Sequence, residues 1–532
     1  MSSARELLTL LLCLLCLVTL AQAKPTISSF SMDMHYGLIT LSFSDTMMSK
    51  TFDATKLTLQ NTKSYYNCTG SQTREAGNCP VSSGAYRLRI SENRFTRIYN
   101  ATSLYVSLSP SDYSALLLEP TIAKGLGSSF ITMDVNTTRA TTMEYAKAIQ
   151  DGNARQATTY KADALSPSFK SWTMNMDTGI MNLTFAEPVN GSTFVASSLS
   201  FQAASNLGID TSANALALST TNVTVLSEPA ETVSVDVGLY NLNRIKALYP
   251  LGTESSLLYL SLSAPCIKDI AGNDNSLAYL SIYEGKEPVN FVPDGTIPVL
   301  DHYDLDMNAG TLTLYFSETI NAFQLNIEVV TLQEKASRGA GTYKELTSAS
   351  TKASTDPSPV VTINLGAEDM HAIKLLDMNV ASEGSKTYMT FPSSFTRDMS
   401  VSPHFEVAPL VDGVSSMNVY RFTPDTTSPA LLNYELDMNA RQLILNFNEP
   451  VRSNTLLVTY FTFQDDADVA TNGGNKVALT PGSTTSSPNG LQIVIDICDL
   501  DFNSLKVRVP LLLSKAFLNS GPLSLSVGPL RL

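Results

Sequence analysis

The strongest candidates for chemistry in this chain are carboxylate side chains that recur at one position of a repeated sequence. Four acids end closely related strand-like segments: Asp45, Glu187, Glu318 and Glu449. A glycoside hydrolase needs two carboxylates about 5–10 Å apart, so these acids are candidates for that reaction. Recurrence argues against it, because an active site is needed once, whereas a residue that supports each domain appears in every copy. We therefore predict that they accept hydrogen bonds at turns or strand ends.

A second group of acids stands in the segments that join the repeats. Each precedes a proline by four residues: Asp163, Asp294 and Asp425 stand before Pro167, Pro298 and Pro429, with Asp304, Asp306 and Asp437 nearby. Because Ca²⁺ prefers about six to eight oxygen ligands, a calcium site at the three linker aspartates is an open alternative. An EF-hand beginning at Asp304 is not expected, since Gly310 comes one position late and the twelfth position lacks glutamate.

The sequence contains no recognisable catalytic motif. The four histidines fall at unrelated positions of the repeats: His35, His302, His371 and His404. A serine or cysteine nucleophile needs a neighbouring base, and none can be assigned. The chain also lacks the His-Glu-x-x-His, Gly-x-Ser-x-Gly and phosphate-loop patterns. We therefore predict a protein that is not an enzyme and needs no cofactor.

Four of the six cysteines lie after residue 23. Cys68 and Cys79 flank one turn-rich stretch, and we predict that they form a disulfide, because so short a loop closes easily. Cys266 and Cys498 have no partner cysteine within their own repeats. They are interpreted as lone thiols, with an intermolecular bridge as the alternative.

Signals for N-glycosylation, Asn-x-Ser/Thr, are confined to the first half of the chain. They occur at Asn67, Asn100, Asn136, Asn182, Asn190 and Asn222. Glycans are expected on these asparagines. The C-terminal half, which carries no such signal, is then the more accessible surface for protein partners.

The N-terminus indicates secretion. Arg5 precedes an uncharged run, Leu7–Leu20, and the small-residue triplet Ala21-Gln22-Ala23 follows. This order is typical of a cleaved signal peptide over residues 1–23, and the apolar run is shorter than the roughly 20 residues of a spanning helix. No later segment is predicted to cross a membrane. The net charge of −14 argues against nucleic acid as a partner.

Four copies of one sequence pattern organise the rest of the chain. They begin at Ser31, Thr173, Asp304 and Glu435, and corresponding positions Asp33, Asn175, Asp306 and Asp437 are 142, 131 and 131 residues apart. A repeat of this length is a domain. The sequence predicts a signal peptide over 1–23 and four domains over 24–164, 165–295, 296–426 and 427–532, with few contacts between them.

Each copy predicts a β-hairpin, because apolar and polar residues alternate on both sides of a short turn. Gly37, Gly179 and Gly310 occupy a turn position that favours positive φ. The fourth copy has Arg441 there, so we expect its turn to differ or to be strained.

A second shared block predicts a strand followed by a short helix. Asp112, Asn241, Asp369 and Asp501 stand where a side-chain oxygen would cap that helix, and capping is the role we predict for them.

The fourth copy is expected to lack a closing strand. In the second copy we assign that strand to the apolar segment from Leu277 to Tyr283. The fourth copy reaches the strand-like PLSLSVGPL at Pro522 and then stops. A missing strand leaves backbone groups of its neighbour open to another chain.

The pattern resembles a known family. Strands such as Phe185–Val189 and Phe447–Val451, with a later Lys268–Asn273 (Lys-Asp-Ile-Ala-Gly-Asn), are similar to Ig-like domains of the bacterial surface-layer (SbsA-type) family. The resemblance covers all four copies in outline, although the Asp-x-Ala-Gly-Asn element is complete only at Asp269–Asn273. It implies seven-strand-like sandwiches used as spacers or adhesion modules.

The combined prediction is an all-β protein of four tandem Ig-like sandwiches in an elongated array, the last one incomplete. We predict a secreted structural or adhesion-type protein that contacts an extracellular protein or glycan. The alternative is a soluble carbohydrate- or protein-binding module, with or without calcium in its linkers.

Overall fold

The computed structural model describes residues 23–507 and 524–527, apart from 70–71, 73–78, 92–95, 101, 208–214, 228, 264–265, 271–279, 340, 377–379, 402 and 465–473. Most of the predicted signal peptide therefore lies outside the described residues. The chain divides into two compact units, Met1–Asp294 and Gly295–Leu532. Each unit contains two sandwiches.

The first sandwich consists of two antiparallel sheets, one of which has a short parallel strand at its edge. Its strands are β1 Ile27–Asp33, β2 Leu38–Phe43, β3 Leu57–Gln60, β4 Arg87–Arg89, β5 Thr96–Asn100, β6 Ser103–Ser107, β7 Phe130–Met133, β8 Arg155–Gln156 and β9 Thr159–Lys161. One sheet has the order β5-β6-β2-β1-β9 and the other β4-β3-β7-β8. Strand β9 runs parallel to β1 and forms one edge of the first sheet.

The second sandwich repeats this plan in the same unit. Its strands are β10 Phe169–Asn175, β11 Ile180–Asn190, β12 Leu199–Gln202, β13 Ala215–Ala217, β14 Thr224–Val225, β15 Ala230–Asp236, β16 Tyr259–Leu262, β17 Lys268–Asp269 and β18 Asn290–Val292. The sheets have the orders β14-β15-β11-β10-β18, with β17 beside β11, and β13-β12-β16.

The second unit contains the third and fourth sandwiches. The third has β19 Leu300–Asp306, β20 Thr311–Ile320, β21 Thr331–Gln333, β22 Tyr343–Glu345, β23 Thr351–Lys352, β24 Ser358–Asn364, β25 Tyr388–Thr390, β26 Met417–Asn418 and β27 Arg421–Thr423. The fourth has β28 Leu431–Asp437, β29 Gln442–Val451, β30 Phe461–Gln464, β31 Lys476–Ala478, β32 Gly490–Asp496 and β33 Ser524–Val527. Their sheets are β23-β24-β20-β19-β27, β22-β21-β25-β26, β28-β29-β32 and β31-β30-β33.

One α-helix follows the same strand in every sandwich. These helices are α1 Pro110–Leu118, α2 Gly238–Ala247, α3 Ala367–Leu375 and α4 over residues 499–507. Three-residue 3₁₀ turns occur at Ser49–Thr51, Ala54–Lys56, Leu126–Ser128, Gly191–Thr193, Ala196–Ser198, Ser255–Leu257, Ala322–Gln324, Ile327–Val329, Gly384–Lys386, Ser393–Phe395, Ser453–Thr455 and Val458–Tyr460. None of the described helices is long and apolar enough to cross a membrane.

Each sandwich has its own hydrophobic core between its two sheets. Alternate residues of the strands point inward, as their period of two requires. Fully buried aromatic side chains mark the centres of these cores: Phe30 in the first, Trp172 and Phe201 in the second, Tyr303 and Phe395 in the third, and Phe461 and Phe463 in the fourth. The predicted all-β class of tandem sandwiches is confirmed.

The hairpin turn explains why an aspartate or asparagine recurs in each copy. The carboxylate of Asp306 accepts the backbone amides of Asn308 and Ala309 at 2.9 and 2.8 Å, and Asp437 does the same for Asn439 and Ala440. Such a bond from a side chain to the backbone two residues later stabilises a tight turn.

The glycine position of this turn has positive φ in all four copies. The angles are +59° at Gly37, +72° at Gly179, +68° at Gly310 and +60° at Arg441. The fourth turn therefore keeps the same backbone conformation, and Arg441 bears the steric strain that glycine avoids.

The four polar residues predicted as helix caps have a different role. In helix α1 the cap is Ser109, whose hydroxyl accepts the amide of Asp112. Asp112 lies inside the helix, and its carboxylate accepts the amide of Ser91 at 3.1 Å. The equivalent bonds join Ser219 to Asn241, Thr347 to Asp369 and Thr480 to Asp501. These residues tie each helix to a loop 21 or 22 residues earlier in the chain, so the capping prediction is wrong.

The strand that closes the second sandwich also differs from the prediction. Of the segment assigned to this role, residues 277–279 lie outside the described residues, and Leu280 forms only an isolated bridge with Leu262. The parallel strand β18 closes the sheet instead, next to β10. In the fourth sandwich β33 is present and pairs with β30. No described strand lies beside β28 on the side opposite β29.

Candidate functional site

Buried and half-buried charged residues gather where one sandwich meets the next within each unit. Helix α1 packs against β11 of the following sandwich, and α3 packs against β29. The helix, the linker aspartate and the acid of the long strand are thereby brought together. We call these places the first junction, within Met1–Asp294, and the third junction, within Gly295–Leu532.

At the third junction, a lysine neutralises two acids. The ammonium of Lys374 lies 2.7 Å from a carboxylate oxygen of Asp425 and also bonds Glu449. Burial lowers the pKa of Lys374, but its hydrogen bonds to Asp425 and Glu449 outweigh burial and raise that pKa. Burial raises the pKa of Asp425, but hydrogen bonds from Lys374 and from the amide of Thr427 outweigh burial and lower the pKa of its carboxyl group. Lys374 and Asp425 are therefore both charged at neutral pH.

A cleft of about 420 Å³ adjoins this lysine. Apolar side chains such as Met307 and Phe422 line it together with Lys374, Asp425 and Glu449. One carboxylate oxygen of Glu449, Oε1, is buried without a hydrogen-bond partner among the described residues. The cleft thus has a polar wall at the ion pair and an apolar wall beside it.

The second linker uses the same pairing. Lys246, from helix α2, lies 2.8 Å from Asp294, and the two side chains are only 5% and 9% exposed. Lys246 and Lys374 each stand five residues after the residue that ties their helix to the preceding loop. The lysine and the linker aspartate are therefore equivalent in the two copies.

At the first junction, the helix has an apolar residue in place of the lysine. The position five residues after Asp112 is Leu117, which is buried. Three acids nevertheless meet here: Asp163 of the linker, Glu187 of β11 and Asp269 of β17. Each offers one carboxylate oxygen, and these three oxygens lie within 4.8 Å of one another.

The three neighbouring carboxylates change the pKa values of the groups at the first junction. Burial, and then repulsion by Asp163 and Asp269, raises the pKa of Glu187 to about 8. The neutral Glu187 shares a hydrogen bond with Asp163. Burial and the same acids also raise the pKa of Tyr113 well above its usual value. The Tyr113 hydroxyl donates to the carbonyl of Met34 at 2.8 Å.

Further contacts join the first two sandwiches. The hydroxyl of Ser114 in α1 donates to Glu231 of the second sandwich, and Ile270 packs against the core of the first. Contacts between sandwiches of one unit are thus more extensive than we expected.

The recurring acids are therefore not all backbone acceptors. Asp45 does accept the amide of Thr46, at 2.7 Å. In contrast, Glu187 and Glu449 are buried at the junctions beside other side chains, and Glu318 is buried as well. Sequence reasoning missed Asp269, Lys246 and Lys374. Aligning the copies on the residue that ties each helix would have revealed the repeated lysine.

The linker aspartates predicted as calcium ligands have different environments. Asp294 and Asp425 are paired with lysines. Asp163 differs because it belongs to a group of three carboxylates, the one such group of three in the described ranges. A calcium proposal is therefore restricted to Asp163 and its two neighbours.

The predicted disulfide and the free thiols can be located. Cys68 and Cys79 are joined, with an S–S distance of 2.04 Å. Cys266 is buried in the second core, where burial raises the pKa of its thiol to about 12. Cys498 is partly exposed, and its Sγ lies 3.7 Å from the hydroxyl of Thr480.

The glycosylation sites are not equally accessible. Asn67, Asn136 and Asn222 are exposed. Asn182 lies within β11 and donates to Thr173 at 3.1 Å, and Asn190 accepts the amide of Ser192 at 3.1 Å. The side chain of Asn100 lies outside the described residues. Glycosylation of these asparagines stays a prediction.

Comparisons with known proteins give only distant similarity. No protein-family model and no curated protein matches the chain. It is similar to the structure of surface layer protein SbsC, domains 1–6, with 10% identity, a TM-score of 0.16 and coverage of 90% of this chain and 63% of that one. A structure titled as the N-terminal part of the bacterial S-layer protein SbsC has 14% identity and a TM-score of 0.14, with coverage of 38% and 44%.

Similarity extends to an Ig-domain protein. A structure addressing Dscam isoform specificity has 9% identity and a TM-score of 0.14, covering 90% of this chain and 93% of that one. This chain spans less than two thirds of the SbsC structures it matches. At these TM-scores the similarities carry no argument, so the assignment to tandem β-sandwiches rests on the sheets and cores described above.

Proposed function

We propose that this chain is a secreted structural or adhesion-type protein whose tandem sandwiches act as spacer and binding surface. Its four domains are residues 24–164, 165–295, 296–426 and 427–532. Four separate hydrophobic cores support this division. A signal peptide over residues 1–23 and a disulfide at Cys68–Cys79 support an extracellular location.

The observation that carries the proposal is the ion pair at the third junction. A half-buried lysine, Lys374, bonds two acids from the linker and the next sandwich and holds the two sandwiches in one relative orientation. Flexible linkers would instead be rich in small polar residues and free of such contacts. A pair of sandwiches fixed in this way is suited to presenting surfaces at a set distance.

Secretion and adhesion can be tested on the full chain. Expressed in cells with a secretory pathway, the protein should appear in the medium with Lys24 as its first residue. Its mass should fall on treatment with an N-glycosidase. Beads coated with it should adhere to cells or extracellular matrix. Retention inside the cell with Met1 intact would contradict the proposal, and a specific hit on a glycan array would favour the carbohydrate-binding alternative.

A second candidate role is calcium-dependent stabilisation of the first junction. Two other linkers place a lysine ammonium next to the linker aspartate, whereas the first has Leu117 and a third acid, Asp269. Carboxylate oxygens are the ligands that Ca²⁺ prefers. A divalent cation held by Asp163, Glu187 and Asp269 would then supply the positive charge that lysine supplies elsewhere.

The calcium role competes with proton sharing between Glu187 and Asp163. Thermal unfolding of the mature chain should be measured with a chelator and with millimolar calcium. If calcium binds, the melting temperature should rise with calcium concentration, because a ligand of the folded state stabilises it. Equal melting temperatures would leave the shared proton as the neutralising species.

A further inference from the structure

The first strand of the fourth sandwich is less covered than its counterparts. In the third sandwich the inward side chains Leu300, Tyr303 and Leu305 of β19 are at most 1% exposed. The matching residues of β28, Leu431, Tyr434 and Leu436, are only partly buried. Leu432, also on β28, is 64% exposed. An apolar strand at the edge of a sheet can pair with another chain, because its backbone N–H and C=O groups on the open side have no strand partner.

In the other three sandwiches a short parallel strand covers this place. An aromatic residue stands at the centre of each: Tyr160 in β9, Phe291 in β18 and Phe422 in β27. They pair with Met32, Met174 and Leu305, and each packs against its own core. The residue of β28 that corresponds to Leu305 is Leu436.

A backbone hydrogen bond completes each of these contacts. The amides of Met34, Met176 and Met307 donate to carbonyls at the end of the covering strand at 2.8, 2.9 and 2.9 Å. The corresponding donor in the fourth sandwich is the amide of Met438. The fourth sandwich thus repeats both the apolar partner and the position of the donor.

Charge adds a further requirement. Asp33 forms an ion pair with Lys161 of its covering strand at 3.5 Å, and Asp304 lies opposite Arg421. On β28 the corresponding residues are Asp437 and Glu435, both exposed. A strand that pairs here should therefore carry basic residues beside its aromatic residue.

We propose that β28 binds an extended segment of another polypeptide, in parallel, through an aromatic residue flanked by basic side chains. The aromatic ring packs on Leu436, and the basic groups face Glu435 and Asp437. Main-chain bonds to the sheet edge provide affinity, and the contact of the aromatic ring with Leu436 provides specificity. This interaction does not depend on the adhesion role or on calcium.

A peptide copied from the third sandwich is a direct probe. The nine residues Met417–Asp425 (MNVYRFTPD) contain β27 with its aromatic residue and one flanking basic residue, Arg421, which supplies the charge that faces Glu435. Mixed with the mature chain, this peptide should bind and slow amide hydrogen exchange in residues 431–438. A control peptide with Phe422→Asp should bind about tenfold more weakly or not at all, because it loses the burial of the ring.

Two protein variants test the assigned contacts. Leu436→Asp removes the apolar partner and should abolish binding. Glu435→Lys, at an exposed position where folding is not at risk, should weaken binding several-fold and remove part of its salt dependence. A circular dichroism spectrum matching that of the unmodified chain establishes that each variant is folded.

Three outcomes would overturn the proposal. One is the absence of both peptide binding and added protection of residues 431–438. Another is slow exchange of these amides in the free monomer, which would show that the chain covers its own edge. The last is protection that grows with protein concentration as the chain dimerises, which would identify a second copy as the occupant.

Discussion

Lys374 and Asp425 form an ion pair with a distance of 2.7 Å between the ammonium nitrogen and a carboxylate oxygen. Lys374 lies in the last turn of helix α3, and Asp425 lies in the linker that leads to the next sandwich. Because Glu449 of that sandwich bonds the same ammonium, the pair connects three consecutive parts of the second unit.

Replacing Lys374 should destabilise this unit. Lys374→Met leaves two acids close together without their cation, and removing one partner of a buried pair is costly. Because the Lys374 side chain is 20% exposed, we expect a loss of about 2 kcal/mol, below the range for fully buried pairs. Urea unfolding of the full chain measures the change.

Lys386→Met is the matched control. Lys386 pairs with Glu383 at 3.4 Å, and both side chains are largely exposed. Such surface pairs contribute about 0–1 kcal/mol, so the control should change stability little. Equal losses in the two variants would show that the junction lysine has no special role.

Leu117→Lys should reproduce at the first junction the arrangement seen at the other linkers. The new ammonium can neutralise Asp163, Glu187 and Asp269, as Lys246 neutralises Asp294. We expect the melting temperature in chelator to rise and any response to calcium to disappear. Leu118→Lys, at the next and exposed position, serves as the control and should leave both properties unchanged. A calcium response that survives in Leu117→Lys would place the ion elsewhere.

Asp369 should make the stability of the third sandwich depend on pH. Burial raises the pKa of its carboxyl group, but bonds from Ser350, Thr347 and Lys344 outweigh burial and lower that pKa below its usual value. A carboxylate with a depressed folded-state pKa stabilises the protein above its unfolded-state value, and this contribution is lost as the pH falls through the folded-state pKa.

Asp369→Asn therefore tests both the tie and its charge. We expect the variant to be less stable by about 2 kcal/mol at pH 7, since it weakens several buried hydrogen bonds. The difference from the unmodified chain should shrink below about pH 4, where the unfolded aspartate takes up a proton. The residue that corresponds to Asp369 in the second sandwich is an asparagine, Asn241, so the size of an asparagine side chain is tolerated at this position. Urea unfolding at about pH 3 and about pH 7 measures the difference in stability between the variant and the unmodified chain. The same difference at both pH values would contradict the role of charge.

Arg441 offers a test of backbone strain. Its φ of +60° matches that of glycine in the other three turns, and a side chain in this conformation costs about 1–2 kcal/mol. Arg441→Gly should increase stability by about 1 kcal/mol, because the loss of the exposed pair with Asp499 offsets part of the gain. Gly310→Ala should decrease stability by a similar amount. Thermal unfolding of both variants measures these changes in stability. A lower stability of Arg441→Gly would show that the ion pair with Asp499 contributes more than the backbone strain costs.

Local features of this protein could be predicted from the sequence because they depend on residues close together in the chain. Alternation of apolar and polar residues predicts strands wherever one face of a sheet is buried. The hairpin turns follow from Asp306 and Gly310, which lie within one turn of each other. The same reasoning located the pairing of Cys68 with Cys79, only 11 residues apart.

The tertiary structure alone decided which polar groups meet. Asp369 looks like a helix cap in the sequence, yet its carboxylate turns back to a loop 22 residues earlier. Lys374, Asp425 and Glu449 come from a helix, a linker and the next sandwich, and no local pattern connects them. Whether Glu187 faces a lysine or other acids depends on Leu117 of the preceding sandwich. A charge is neutralised by whatever the fold brings within a few ångströms of it, and that distance is set by the packing of whole sandwiches.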